Sequence, residues 1–234
     1  MSHANPRFLI SGSGRSGTSA VAQLLHGAGI SVGNDLVEAD EHNAEGYFEE
    51  RQVITINQAI LNAAAIGPPF STATRQHVID AAQEYVPYMV DQAALATPAW
   101  KDPRFCWTLE PWLGVFEGRP RVIVCLRSPA EVAASTMRYF GQAGDEPKDA
   151  VYHVWRVQYE RLLEVADAYA LESFTVDYSE LHVNTEAVVS RLSSFVGRDL
   201  DPSSVRSELR HHAVEVPGEL RPLYDRVLTI GAAT

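Results

Sequence analysis

Cysteine is almost absent. The 234 residues hold two, Cys106 and Cys125, each in an apolar stretch with no Cys-x-x-Cys spacing and no Cys/His cluster. That excludes a disulfide framework and a cysteine-based metal site, and both thiols read as buried structural groups. No metal is assigned. Positive charge is also scarce, with 19 Lys and Arg against 30 Asp and Glu, a net charge of −11. So acidic a chain lacks the basic face needed for nonspecific binding to nucleic acid or anionic membranes, and a polyanion has to be held locally by a few placed cations. Long apolar runs are missing too. Residues 1–6 are short and polar, and nothing resembles a membrane span or a signal peptide, so the expected location is cytoplasmic. At 46% hydrophobic content, the expectation is a single domain over 1–234, with 1–6 as a tail.

What is present is concentrated in RFLISGSGRSGTS, residues 7–19. A short apolar strand, Phe8-Leu9-Ile10, runs into a loop with Gly12, Gly14 and Gly17, and Arg15, Ser16, Thr18 and Ser19 stand where a helix begins. Glycines let backbone approach an oxyanion, and the first helical N–H groups and the helix dipole point at its charge. The loop reads as a phosphate site. Ala20, Val21, Leu24, Leu25 and Ala28 then form one stripe at helical period, and Gly29 is placed to end the helix. Three loop types share this spacing. Gly12-x-Gly14-x-x-Gly17 fits a dinucleotide fingerprint, with Asp35 roughly 20 residues on as a ribose ligand. Gly12 and Gly17 also fit a nucleoside-triphosphate loop, except that Thr18 replaces its lysine. The third type follows a basic residue with Ser-Gly-Thr, as Arg15-Ser16-Gly17-Thr18 does.

Two further strings narrow the choice. In AWKDPR, residues 99–104, apolar residues give way to Lys101, Asp102 and Arg104 around a proline, as where a central strand delivers charge at its carboxyl end. A solvated turn with an Asp102–Arg104 pair fits the same string. In RVIVCLRSPAEVAAS, residues 121–135, Val122 to Leu126 form a strand buried on both faces that ends in Arg127. A magnesium-dependent nucleotide hydrolase ends the corresponding strand in aspartate; here a cation stands there, suited to an anion. Ser128-Pro129 opens a helix, and Ser135, about two turns on, can face the same anion as Arg127.

These three strings resemble the sulfotransferases that use 3′-phosphoadenosine-5′-phosphosulfate (PAPS), particularly the arginine-bearing loops of the tyrosylprotein sulfotransferases and many bacterial enzymes. Arg15-Ser16-Gly17-Thr18 resembles their 5′-phosphosulfate loop, Lys101-Asp102-Pro103 their Lys-Asp-Pro, and the step from Arg127 to Ser135 their 3′-phosphate site. The resemblance covers roughly residues 7–197. It implies an α/β domain of the P-loop-related sulfotransferase fold, a central parallel sheet of about four or five strands with helices on both faces. It implies PAPS as co-substrate, bound by Gly14, Arg15, Ser16, Gly17, Thr18, Ser19, Arg127 and Ser135, and a hydroxylated small-molecule, natural-product or glycan acceptor. Arg15 and Lys101 are the implied catalytic cations. The implied base is a Glu, Asp or His near the second strand, with Glu49 the first choice and Asp40, His42, Asp35 and Glu38 behind it.

The rest reads as architecture. Ile30–Gly33 is expected as a second strand, followed by the acidic loop 34–46. A helix carries Val53, Ile56, Ile60 and Leu61, GPPFST at 67–72 breaks it, and 74–96 reads as one helix kinked at Pro87. Phe48, Phe70, Tyr85 and Tyr88 line an acceptor pocket or pack the core. Residues 148–169 form a long amphipathic helix, 171–176 a strand, and a helix capped by Asn184 ends at Gly197. The basic tail, with Arg210, His211, His212, Arg221 and Arg226, occupies the place where the family closes a loop over the nucleotide.

Overall fold

Four apolar segments pair into one parallel sheet in the computed structural model, which describes residues 6–39, 46–66, 74–95, 97–140, 146–205 and 215–230. Strand β1 is Phe8–Gly12, β2 Ala99–Lys101, β3 Arg121–Leu126 and β4 Ser173–Asp177, in the order β2-β1-β3-β4. Leu9 pairs with Trp100 on one side and Val122 on the other, and Val122 pairs in turn with Ser173. The segment expected to be central, Ala99–Lys101, is therefore an edge strand. A three-residue strand with one neighbour still delivers its last side chain to the carboxyl end of the sheet, which is the part of the expectation that concerns the site.

Strand side chains alternate between two cores, as the pleat requires. Leu9, Trp100, Val122, Val124 and Leu126 face one core, while Phe8, Ile10, Ala99, Ile123, Cys125 and Val176 face the other. Helices α1 (Thr18–Gly27), α8 (Tyr178–Val183) and α9 (Thr185–Val196) cover the second face with Val21, Leu25, Leu181, Val188 and Leu192. The first face takes α2 (Arg51–Ala63), α3 (Arg75–Ala82), α4 (Val86–Ala93), α5 (Phe105–Val115), α7 (Glu146–Ala168) and α10 (Arg221–Leu228). Helix α6 (Pro129–Phe140) follows β3, its buried Val132 joining the first core. No described helix is long and apolar enough to cross a membrane.

Several local expectations change. Ile30–Gly33 is not a strand: the Ser31 hydroxyl bonds to the Gly33 carbonyl at 2.8 Å, and the segment touches the sheet through one backbone bond, Ala99 N–H to Ser31 O at 3.0 Å. The stretch 74–96 is not one kinked helix. Proline lacks an N–H and crowds the carbonyl four residues back, so α3 tightens into a 3₁₀ turn at Gln83–Tyr85 and α4 restarts with Pro87 in its first turn. Helix α9 ends in left-handed Gly197, as the sequence indicates, but the Asn184 side chain donates to Glu180 rather than capping α9. Helix α5, buried nearly all round, carries no amphipathic stripe to reveal it.

Candidate active site

The carboxyl ends of all four strands converge on one region. β1 passes into Ser13–Gly17, and two glycines there are required by sterics. Gly12 has φ 151° and a Cβ would strike the Cys125 carbonyl; Gly17 has φ 91° and a Cβ would strike the Tyr178 ring. Gly14 is different, with ordinary φ and open space where a side chain would stand. Arg15 takes the left-handed conformation at φ 66°, uncommon outside glycine. Ser16 turns inward and closes the loop by donating its hydroxyl to the Ser13 carbonyl at 2.5 Å. Thr18 is buried. Gly17, the N-cap of α1, brings no side chain to the first-turn amides, and no acidic residue lies in that turn, so the helix start presents donors and a positive dipole end.

Beside the loop, Lys101 leaves the end of β2 with 1% of its side chain exposed. Its ammonium pairs with the Glu49 carboxylate and donates to Ser19 Oγ at 3.4 Å. Burial lowers the Lys101 pKa, opposed by Glu49 and Asp102. Burial raises that of Glu49, assisted by Asp102 and opposed by Lys101. Glu49 is fixed by its backbone: Val37 N–H donates to Glu49 O at 2.9 Å, Arg51 N–H to Asp35 O at 2.9 Å, and the buried Glu50 carboxylate accepts from Asn34 N–H at 2.5 Å and Asp35 N–H at 3.1 Å. Asp102 is fully buried and accepts from Asn57 Nδ2 at 2.8 Å, the Arg104 amide at 2.9 Å and the Arg104 guanidinium at 3.0 Å. The Asp102–Arg104 turn pair and the charged strand end are thus both present.

At the end of β3 the Arg127 guanidinium is also buried. Nε donates to the buried Glu131 carboxylate at 3.3 Å, Nη1 to the Arg15 carbonyl at 3.2 Å, and the group lies 4.1 Å over the Tyr178 ring. Among the described residues Nη2 has no hydrogen-bond partner, nor does the buried Ser128 hydroxyl beside it in sequence. A buried cationic donor without an acceptor is costly to leave so, and it marks a place for an anion. Arg15 Nε donates to Ser135 Oγ at 3.2 Å, and its guanidinium lies 5.0 Å over the Tyr139 ring. Arg127 and Ser135 therefore meet through Arg15, by its carbonyl and its side chain, rather than by direct contact. The contacts of Arg15 are with this group, while Lys101 and Glu49 pair with each other.

Of the other base candidates, the two that are described do not share this placement. Asp35 lies in an exposed ion pair with Arg51 at 3.1 Å, and Glu38 is exposed. Asp40 and His42 lie outside the described residues, as do Phe70, Arg210, His211 and His212. Phe48 packs at 5.7 Å from the His26 ring and Tyr85 against the core, whereas Tyr88 is exposed. Arg221 pairs with Asp225 and Arg226 is exposed. Among the described residues no three His, Cys, Asp or Glu side chains gather in the manner of a metal site. Sequence reasoning missed Glu131 and Tyr178. The first was legible as an acid four residues after Arg127 on the helix that follows it; the second reaches Arg127 only through strand pairing.

Comparisons with known proteins bear on the family and the fold. Residues 5–222 match the family model described as the sulfotransferase domain. No curated protein matches the sequence. Among solved structures, the sulfotransferase domain of the Synechococcus PCC 7002 olefin synthase is similar at 20% identity and TM-score 0.51, over 98% of this chain and 90% of that one. The sulfotransferase domain from the curacin biosynthetic pathway gives 16% identity and TM-score 0.49 over 97% and 91% of the two chains. Sulfotransferase STF1 from Mycobacterium tuberculosis H37Rv gives 14% and 0.46 over 98% and 74%. With a family match across nearly its whole length and the corresponding fold, the chain belongs to the sulfotransferase domain family.

Proposed function

We propose that this protein transfers a sulfuryl group from PAPS to the hydroxyl of a small-molecule, natural-product or glycan acceptor. The observation that carries the donor assignment is the buried cation after β3: among the described residues Arg127 Nη2 has no partner, where a nucleoside-triphosphate hydrolase needs a carboxylate for its metal. In this reading Arg127 and Ser135 hold the 3′-phosphate. The backbone of 14–19, with Ser16 shaping the loop and Thr18 and Ser19 at its helical end, holds the 5′-phosphate.

The donor supplies an activated sulfuryl group whose transfer spreads charge over peripheral oxygens and the leaving oxygen. Lys101 is the cation for that charge, fixed before reaction by burial and by Ser19, and a preorganised donor of this kind contributes a few kcal/mol. Glu49 accepts the proton of the acceptor hydroxyl, its raised pKa matching it to that task. The two roles reinforce each other. As Glu49 takes the proton it loses its negative charge, and the Lys101 ammonium, no longer neutralised, acts on the leaving oxygen. Arg15, through Ser135 and the loop, joins the two phosphate subsites.

The test is transfer of label from ³⁵S-PAPS to a panel of phenols, alcohols and glycans, with PAP release followed in parallel. Label on an acceptor, abolished by Lys101→Ala and Glu49→Gln, supports the assignment. PAP binding without label transfer, unchanged by either substitution, makes this a donor-binding protein instead.

A further inference from the structure

Helix α7 reads from sequence as architecture, yet two of its residues reach the site. Where β1 peels away from β3 after the Gly12–Cys125 pair, the ladder ends and leaves backbone groups in need of partners. The Tyr159 hydroxyl enters that gap: it accepts from Ser13 N–H at 3.2 Å and donates to Cys125 O at 2.6 Å. One helical turn earlier, Trp155 Nε1–H donates to the Arg127 carbonyl at 3.1 Å. The two rings are fully buried with centroids 4.7 Å apart, so they move as one body. Tyr224 of α10 stacks on Trp155 at 6.4 Å and bonds to Asp177 at the end of β4, fixing the pair from the far side.

These contacts close a circuit. Tyr159 holds Ser13, Ser13 leads to Arg15, the Arg15 carbonyl accepts from Arg127, Trp155 holds Arg127, and α7 joins Trp155 to Tyr159. We propose that Trp155 and Tyr159 are positioning residues for the donor, a brace that sets the distance between the glycine loop and the Arg127 subsite. The inference rests on the donor assignment above, since it is a ligand with two phosphates that senses that distance. A bisphosphate gains over a monophosphate only when both subsites are held in the register it spans; a loose register forfeits the second contact while sparing the first. Both residues act through the backbone groups they hold, so the effect is indirect. Tyr159→Phe removes the hydroxyl bridge and keeps the ring, and Trp155→Phe removes the indole N–H and keeps an aromatic neighbour.

The experiment is calorimetric binding of adenosine 3′,5′-bisphosphate (PAP) and adenosine 5′-monophosphate (AMP) to wild type, Tyr159→Phe and Trp155→Phe, with thermal melts as a check on folding. The wild type is expected to prefer PAP, and each variant to lose about tenfold of that preference while AMP affinity holds. A merely architectural role lowers melting temperature and leaves the PAP-to-AMP ratio unchanged in both variants, which overturns the brace. A wild type that binds PAP no better than AMP fails differently: it removes the bisphosphate assignment, and the brace with it. Two variants guard against one failing to fold, because the ratio needs only one soluble protein.

Discussion

Lys101 and Glu49, 52 residues apart in sequence, meet as a buried ion pair at the carboxyl end of β2. Burial works against both charges, lowering one pKa and raising the other, and each partner opposes the shift of the other. Such a pair contributes little to stability. Replacing one member leaves an uncompensated buried charge, and Lys101→Met alone is expected to cost about 3–5 kcal/mol. Replacing both, as Glu49→Leu with Lys101→Met, is expected to restore the melting temperature to at least the wild-type value while label transfer stays absent. A chemical denaturation series on the three proteins checks this. A double variant less stable than Lys101→Met contradicts it.

The same shifts set a pH dependence. The Glu49 pKa is raised from 4.5, so its contribution to stability is present below that value and is lost as pH rises through the raised pKa. The Lys101 pKa is lowered from 10.5, so its contribution is present above that value and is lost as pH falls through the lowered pKa. The double apolar variant removes both titrations, so its stability is expected to vary less with pH than that of wild type over both ranges. Activity follows the base. The acid limb of kcat/KM is expected at a pH above 4.5, and in Glu49→Gln it disappears as kcat falls by about 10²–10⁴. Rate profiles over pH on both proteins measure this, and an acid limb surviving in Glu49→Gln assigns the base elsewhere.

Arg127 differs from Lys101 in keeping a donor unspent. Arg127→Lys retains the charge beside Glu131 but loses the planar fork, so folding is expected to survive while PAP affinity drops roughly ten- to hundredfold, the worth of one or two charge-assisted bonds. Titration calorimetry gives the number. Unchanged PAP affinity in a folded Arg127→Lys protein moves the 3′-phosphate away from this residue.

The loop glycines separate fold from binding. Gly12→Ala and Gly17→Ala each combine a positive φ with a collision, against the Cys125 carbonyl and the Tyr178 ring, and both are expected to destabilise by about 2 kcal/mol or more. Gly14→Ala meets open space and an ordinary φ, so its melting temperature is expected to match wild type while its methyl hinders the approach of a 5′-phosphate to the backbone. Melts with and without PAP distinguish the two outcomes. A Gly14→Ala protein that binds PAP normally removes that glycine from the site.

What was legible in the sequence is what short-range chemistry determines. The strand, loop and helix of residues 8–27 follow from apolar runs, glycines and a helical stripe, and β3 holds a five-residue apolar run, 122–126, with a cation directly after it. The family resemblance also drew on such local strings. Strand order is non-local, and for that reason Ala99–Lys101 looked central although it lies at the edge. The segment at Ile30 has strand composition, but Ser31 turns it by a local bond that composition does not report. In the site, Glu49 stood out among five candidates only as a preference. Its pairing with Lys101 depends on how residues 35–37 align with 49–51, a tertiary event. Trp155 and Tyr159 were hidden for a related reason: on an amphipathic helix a polar tip among apolar rings looks the same whether it serves the core or the loop.

The central claim is a site built for a 3′,5′-bisphosphorylated adenosine, and thermal stabilisation by PAP, set against ATP–magnesium and NAD(P), tests it most directly. A ligand confined to the folded state stabilises by about 2.7 kcal/mol at 100 times its dissociation constant. The account predicts that shift for PAP, little for the other two, and its loss in Arg127→Ala. Indifference to PAP together with a shift from ATP–magnesium or NAD(P) would contradict it and return the glycine loop to one of the other phosphate-binding types.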